Sequence, residues 1–313
     1  MLCNIDILLC VSLRFFFADF AFNSIFAAQF LLKMDIQKLE EVASQVRRDI
    51  VRMVHTNQSG HPGGSLGCTE YMVALYFHIM KHDPKFNMDA VGEDVFFLSN
   101  GHISPVFYSV LARSGYFPVN ELGTFRNINS RLQGHPATHE HLPGIRIASG
   151  SLGQGMSVAA GAALAKKMNN DDRIVYTLHG DGELQEGQNW EAIMFAAHHK
   201  IDNLISTIDV NGQQIDGPTN VVMGLGSIKA KFEAFGWIVL ELLDGNNMKA
   251  VVDMLELAKQ HCGKAKPVCI LMHTVMGKGV DFMEGTHEWH GIAPNDKQLA
   301  LAKDQLKETL GDY

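Results

Sequence analysis

Two glycine-bearing motifs carry the residue types that metal-phosphate chemistry needs. Gly180-Asp181-Gly182 follows the apolar run Ile174–Leu178, and Asn211-Gly212 follows the next such run, Leu204–Ile208. Either alone reads as an ordinary turn. With 28 residues between Gly182 and Asn211, and each motif just after one of two consecutive predicted strands, they bring an Asp carboxylate and an Asn carboxamide to adjoining strand ends. Those are hard oxygen ligands suited to Mg²⁺, which retains water and completes its shell with phosphate oxygens. The flanking glycines allow the backbone to approach a bulky anion. No Gly-x-Gly-x-x-Gly follows a strand and no Gly-x₄-Gly-Lys-Ser/Thr is present, which argues against nicotinamide and P-loop sites.

The histidines are the second source of chemistry, because imidazole passes protons near neutral pH and hydrogen-bonds hydroxyls without a permanent charge. Four of them stand in motifs: Ser59-Gly60-His61-Pro62-Gly63-Gly64, Leu98-Ser99-Asn100-Gly101-His102, Gln133-Gly134-His135-Pro136 and Trp289-His290-Gly291. His78, His82, His198, His199 and His261 have helical placement without a motif and are read as structural. His139 and His141 lie in a loop and stay open, as do His179 and His273, which follow predicted strands and either face a ligand or pack.

Positioning these residues requires a sheet. Between Arg173 and His273 short apolar runs alternate with helical segments: Ile174–Leu178, Trp190–His199, Leu204–Ile208, Ser227–Phe235, Trp237–Leu243, Lys249–His261 and Val268–Met272. Alternation of that length implies right-handed βαβ crossovers. The fold class expected is α/β, an open, mostly parallel sheet with helices on both faces, and ligands in such sheets bind at the strands' C-terminal ends. Upstream, Ile36, Leu39, Val42, Val46, Ile50 and Val54 recur at helical spacing, a helix is expected over Thr69–Met80, and Val95–Leu98 reads as a buried strand. An Ala/Gly-rich helix is expected after Gly150 as far as Lys167, and a surface helix over Asp296–Lys307.

The 313 residues are 46% hydrophobic and 19% charged, which excludes disordered and collagen-like chains. A formal net charge of −8 without a basic stripe argues against nucleic acid. Residues 1–33 differ from the rest and are read as an N-terminal extension outside the core. Arg14, Asp19, Asn23 and Gln29 interrupt their apolar runs, which argues against a signal peptide or a membrane span. Met34 reads as a natural start, with Asp35 capping the first helix, and 34–313 reads as a single domain. The five cysteines include no Cys-x-x-Cys, so neither a disulfide framework nor a zinc site is suggested, and a cytoplasmic setting fits.

The Gly-Asp-Gly and downstream Asn resemble the signature of thiamine-diphosphate enzymes. The four histidine motifs, Gly150-Ser151-Leu152-Gly153-Gln154-Gly155 and Gly180-Asp181-Gly182-Glu183-Leu184-Gln185-Glu186-Gly187 together resemble transketolase, in order from Ser59 to about Pro294. The resemblance implies a thiamine-diphosphate-binding fold with Mg²⁺ (or Ca²⁺ or Mn²⁺) held by Asp181, Asn211 and the Gln213 backbone carbonyl. Cofactor contacts would come from His102, Gly150, Ser151, Leu152, Gly153, Gly155, Gly180, Asp181, Gly182, Glu183, Asn211 and Gln213. His61, His102, His135 and His290 would surround the reacting sugar, and Glu186 would meet a partner's carboxylate at a subunit contact.

The resemblance covers the first of the transketolase domains, and it implies that the pyrimidine-binding and C-terminal domains are carried by another chain. The implied protein is the N-terminal subunit of a split transketolase, moving a two-carbon ketol group from a ketose phosphate to an aldose phosphate. It would act with a C-terminal partner in a hetero-oligomer of two-plus-two form, and the pentose phosphate pathway is the expected setting. Alternatives are the α-type subunit of a thiamine-dependent 2-oxoacid decarboxylase or dehydrogenase, a subunit for a specialised sugar, or a non-catalytic cofactor-binding protein. One departure is Met276, which stands where related split chains carry Lys; Lys278 is close by.

Overall fold

The computed structural model describes residues 34–313, so the expectation for residues 1–33 lies outside the described residues. Helix α1 (Ile36–Thr56) buries Leu39, Val42, Val46, Ile50 and Val54 along the stripe that the spacing predicts. A glycine-rich turn leads into α2 (Pro62–Gly67) and α3 (Thr69–Ala74). The helix expected over Thr69–Met80 changes pitch, because Leu75–Ile79 forms a π-helical turn. Strand β1 (Val95–Leu98) is followed by α4 (Ser104–Arg113), α5 (Gln154–Met168), β2 (Val175–Gly180), α6 (Gly187–His198) and β3 (Leu204–Val210). Two short strands, β4 (Gln213–Gln214) and β5 (Gly217–Pro218), pair antiparallel as a small hairpin. Then come α7 (Thr219–Met223), α8 (Ile228–Ala234), β6 (Ile238–Leu242), α9 (Met248–His261), β7 (Val268–His273) and α10 (Asp296–Gln305).

The main sheet has strand order β1-β2-β3-β7-β6, and every neighbouring pair is parallel. On one face Val95, Phe97, Val175, Leu204, Ile208, Cys269 and Leu271 join Met156, Ala159 and Ala163 of α5 and Ala192, Ile193 and Ala196 of α6 in one buried cluster. The alternate residues point the other way. Phe96 there meets Tyr76 and Phe107 edge-on, at centroid distances of 6.0 and 5.4 Å. Because both faces are covered, the strands read as continuous apolar runs rather than alternating ones.

The register sets Gly180 opposite Asp209, so the ends of β2 and β3 finish side by side. The loops after β1, β2, β3 and β7 all leave from that edge. Among the described residues no helix is long and apolar enough to cross a membrane. Cys68, Cys262 and Cys269 are free, while Cys3 and Cys10 fall outside the described residues.

Candidate functional site

Asp181 continues β2, its backbone N–H donating to the Asp209 carbonyl at 3.0 Å. Its carboxylate accepts the backbone N–H groups of Gly182 and Gly212, both at 2.8 Å, so the two motifs are tied together through one side chain. Beside it Asp209 is wholly desolvated, accepting from Asn211 Nδ2 at 2.7 Å and from Thr274 Oγ1 at 2.5 Å. The Asn211 amide is thereby fixed with its oxygen turned away from Asp209. That oxygen accepts the Gln213 N–H at 2.9 Å and keeps a second lone pair.

Burial first, and then the neighbouring Asp209 carboxylate, push the Asp181 carboxyl up to about 7. Two carboxylates in a site with little water are costly without a cation. Gln213 Oε1 is also buried with no hydrogen-bond partner among the described residues. Oxygen donors with excess negative charge and no paired cation among the described residues fit a hard divalent ion on a diphosphate. The residues that would hold it are Asp181, Asn211 and Gln213.

The Glu183 side chain is turned into the fold. Its Oε1 accepts the Ser99 hydroxyl and the Gly153 N–H (2.7 Å), and its Oε2 accepts the Gly180 N–H at 3.1 Å. Burial opposes its charge, but His179, Ser99 and Gly153 outweigh it and hold the carboxyl below its ordinary range. The Glu183 side chain is therefore an internal strut that fastens the Gly153 turn to the ends of β1 and β2. Gly153 itself sits at φ 89°, a left-handed conformation that glycine takes without strain, and opens helix α5. His179 belongs to the same strut, its Nε2 3.0 Å from Thr177 Oγ1 and its Nδ1 3.6 Å from Glu183. It packs inside rather than facing the site.

The four motif histidines converge. Ring centroids of His61 and His102 lie 5.2 Å apart, His102 and His290 5.0 Å, His61 and His290 5.5 Å, and His61 and His135 6.2 Å. Gly150, at φ 134°, brings its turn against the His135 ring: a Cβ there would come within 3.0 Å of it. Buried polar atoms without a partner among the described residues gather here, namely His61 Nδ1, Asn100 Oδ1, Ser149 Oγ and His290 Nδ1. Such groups are rare in packed protein and mark a surface built to meet a polar ligand. Glu186 stands apart from them, exposed at the N-cap of α6.

Of the histidines left open, His273 lies 3.2 Å from Glu241 at the β6–β7 edge, and His139 and His141 are exposed. Met276 is buried against Gly63, so it braces the His61 turn, and Lys278 Nζ lies 3.3 Å from Glu284. Sequence reasoning missed Asp209, Thr274 and Arg126, and named Ser99 only as a motif member. Arg126 donates from Nη1 to Ser59 Oγ at 2.8 Å.

Desolvation lowers His61 to about 4 and also lowers His82, His102, His135 and His290. An imidazole of lowered pKa leaves the unfolded chain binding protons that the fold refuses. Its stabilising contribution is therefore full above the ordinary value of 6.5 and is lost as pH falls, for His61 down to about 4. Asp181 and Asp209, both raised by burial, act in the opposite sense. The His61 part is isolated by comparing His61→Gln with the unaltered cofactor-free chain, whose melting-temperature difference should move in the variant's favour as pH falls from 6.5 to 4. His61 alone accounts for on the order of 3 kcal/mol. A difference flat across that window would contradict the assignment.

Residues 39–310 match the family described as transketolase, thiamine diphosphate binding domain. The chain is 38% identical over 276 residues to one subunit of the apulose-4-phosphate transketolase of Actinobacillus succinogenes, covering 88% of this chain and 98% of that one. It is 39% identical over 270 residues to a 6-deoxy-6-sulfo-D-fructose transketolase subunit of Clostridium sp., covering 86% and 96%. Transketolase of Campylobacter jejuni superposes with a TM-score of 0.79 at 36% identity, over 87% of this chain and 43% of that one. The chain thus spans about two fifths of the length of the solved transketolases it matches, 41% in the case of the Pichia stipitis R525L mutant. Fold, motif order and these matches agree, and the chain belongs to the transketolase family, whose thiamine-diphosphate-binding domain it carries.

Proposed function

We propose that this chain is the N-terminal subunit of a two-chain transketolase that transfers a two-carbon ketol group between sugar phosphates, with thiamine diphosphate and Mg²⁺. The observation that carries the reading is the contrast in coverage: 98% of the apulose-4-phosphate transketolase subunit, but 41% of human transketolase at 34% identity. Thiamine diphosphate, when bound, supplies the carbon that takes up and releases the two-carbon unit. This chain's part is to grip and to move protons. Asp181, Asn211 and the Gln213 carbonyl hold the divalent ion, and Gly182 with the Gly153–Gly155 turn admits the diphosphate. His61, His102, His135 and His290 offer uncharged imidazoles to sugar hydroxyls, and removing a hydroxyl proton is a task for such a base.

The pyrimidine-binding half would come from a C-terminal partner, in a hetero-oligomer that Glu186 helps to assemble through the partner's carboxylate. A specialised ketose is the second reading of the substrate, favoured because the two relatives named above carry the names apulose-4-phosphate and 6-deoxy-6-sulfo-D-fructose. A 2-oxoacid decarboxylase role is disfavoured by the clustered imidazoles, and consumption of pyruvate would revive it.

The test is an assay with thiamine diphosphate, Mg²⁺, xylulose 5-phosphate and ribose 5-phosphate, on the chain alone and mixed with a candidate C-terminal subunit. Activity should appear only in the mixture, and Glu186→Gln should weaken assembly or turnover there. A mixture that binds thiamine diphosphate without turning over points to a different donor sugar. Absence of binding overturns the site itself, and unchanged activity of Glu186→Gln removes its role.

A further inference from the structure

Arg126 lies outside every motif read above, yet it touches two of them. It takes φ 59°, an uncommon backbone for a side chain of its size, and its N–H donates to the Leu132 carbonyl at 2.8 Å. That geometry turns the guanidinium back under the Gln133-Gly134-His135 turn. A Cβ on Gly134 would lie 2.6 Å from both the guanidinium carbon and Nη2, so the cation is seated directly on the Gly134 backbone. Its Nη1 reaches Ser59 Oγ, at the start of the Ser59-Gly60-His61 turn, and its Nε is buried with no partner among the described residues. Phe125 flanks it, the guanidinium carbon 5.5 Å from the ring centroid.

We propose that Arg126 is a positioning residue, joining the Ser59–His61 turn to the Gln133–His135 turn and setting a fixed positive charge beside both imidazoles. Three features support this. The tie fixes the spacing between the His61 and His135 rings, which come from segments far apart in sequence. A Cβ at 134 would push the guanidinium off this seat. A cation that keeps its proton at any relevant pH also opposes protonation of its neighbours.

The surroundings leave Arg126 as the cation common to both rings. His61 faces His290, Arg126, His135 and His102, while the charged group acting on His135 is Arg126. Tyr108 lies against Arg126 and itself faces Glu140, and His290 answers to Asp216 and His287. After desolvation and His290, Arg126 contributes to the low His61 value of about 4, and after desolvation it lowers His135.

The role of the two imidazoles rests on the transketolase reading, but the test does not. Imidazole C–H resonances of the complete chain, followed by NMR against pH, should show His61 and His135 in Arg126→Gln titrating at higher pH than in the unaltered chain. The His290 resonance should move least. Arg126→Lys, which keeps the charge, should return both curves toward the unaltered ones. In the reconstituted complex the acid limb of the Arg126→Gln rate profile should shift to higher pH, with turnover down about tenfold or more.

Unmoved His61 and His135 curves in a folded Arg126→Gln chain overturn the proposal while leaving the transketolase reading intact. Shifted curves with no turnover of any sugar overturn that reading and leave the proposal standing. Should Arg126→Gln not fold, Ser59→Ala frees the guanidinium from its hydroxyl partner. Both curves should then shift, and curves superimposable on the unaltered chain overturn the positioning role.

Discussion

Asp181→Asn should strip the chain of its response to Mg²⁺ and thiamine diphosphate while sparing the cofactor-free fold a cost that it otherwise bears as pH rises. The carboxyl is 3% exposed and is pushed up to about 7 by burial and by Asp209. A carboxyl raised in the fold leaves the unfolded state ionising first, so stability falls as pH climbs from the ordinary 3.8 to about 7 and then levels. The gap is worth on the order of 4 kcal/mol. Asparagine removes that dependence but accepts only one of the two N–H bonds from Gly182 and Gly212, costing about 1–3 kcal/mol.

The melting-temperature difference between Asp181→Asn and the unaltered chain, measured in chelator, should therefore move in the variant's favour between pH 4 and 7 and stay level above. The histidine contributions are common to both chains and cancel. Adding Mg²⁺ and thiamine diphosphate should reverse the ranking. A ligand at a hundred times its Kd stabilises a fold by about 2.7 kcal/mol, and the variant, with affinity down roughly a hundredfold or more, should gain little. Equal stabilisation of both chains would remove Asp181 from the ion site. Stability given up at an empty site for binding is the usual trade at functional centres.

The order of motifs and the parallel sheet were legible because their signals are local. Short β-branched runs, a glycine turn and then a helical stretch announce each βαβ unit, and Gly180 and Asp209 needed only adjacent strands to meet. Helix α4 escaped notice although Pro105 stands in its first turn and Gly115 follows its end. The short 3₁₀ turn Gly101–Ile103, which carries the glycine and His102 of the Asn100–His102 motif, runs straight into it. The direction of a side chain in a tight turn was not legible at all. Asp181 and Glu183 are two residues apart, yet one meets the hairpin amide of Gly212 and the other turns inward to Ser99 and Gly153. Only the three-dimensional meeting of β1, β2 and α5 decides that. Arg126 and Ser59 are likewise 67 residues apart, and no period or spacing connects them.

His135→Ala should lose turnover far more than cofactor affinity, and it is the cleanest of the four histidines to test. Its backbone turn is held by other residues: Tyr108 Oη donates to the Gln133 carbonyl at 2.9 Å and Ser104 Oγ to the Gly134 carbonyl at 2.8 Å. Its ring is exposed, so truncation leaves no internal cavity, whereas His61 and His102 are closer packed and would be removed at a cost in folding. Desolvation, then Arg126, keeps the His135 imidazole below the ordinary range, hence uncharged and able to accept a hydroxyl proton through the neutral pH range. Loss of a positioned base is expected to cost about 10²–10⁴ in turnover. The check pairs steady-state rates of the reconstituted complex with calorimetric titration of thiamine diphosphate. Reduced turnover at near-normal affinity assigns the ring to proton transfer or sugar contact. Normal turnover would return His135 to the structural histidines, and a parallel loss of affinity would make it a cofactor contact instead.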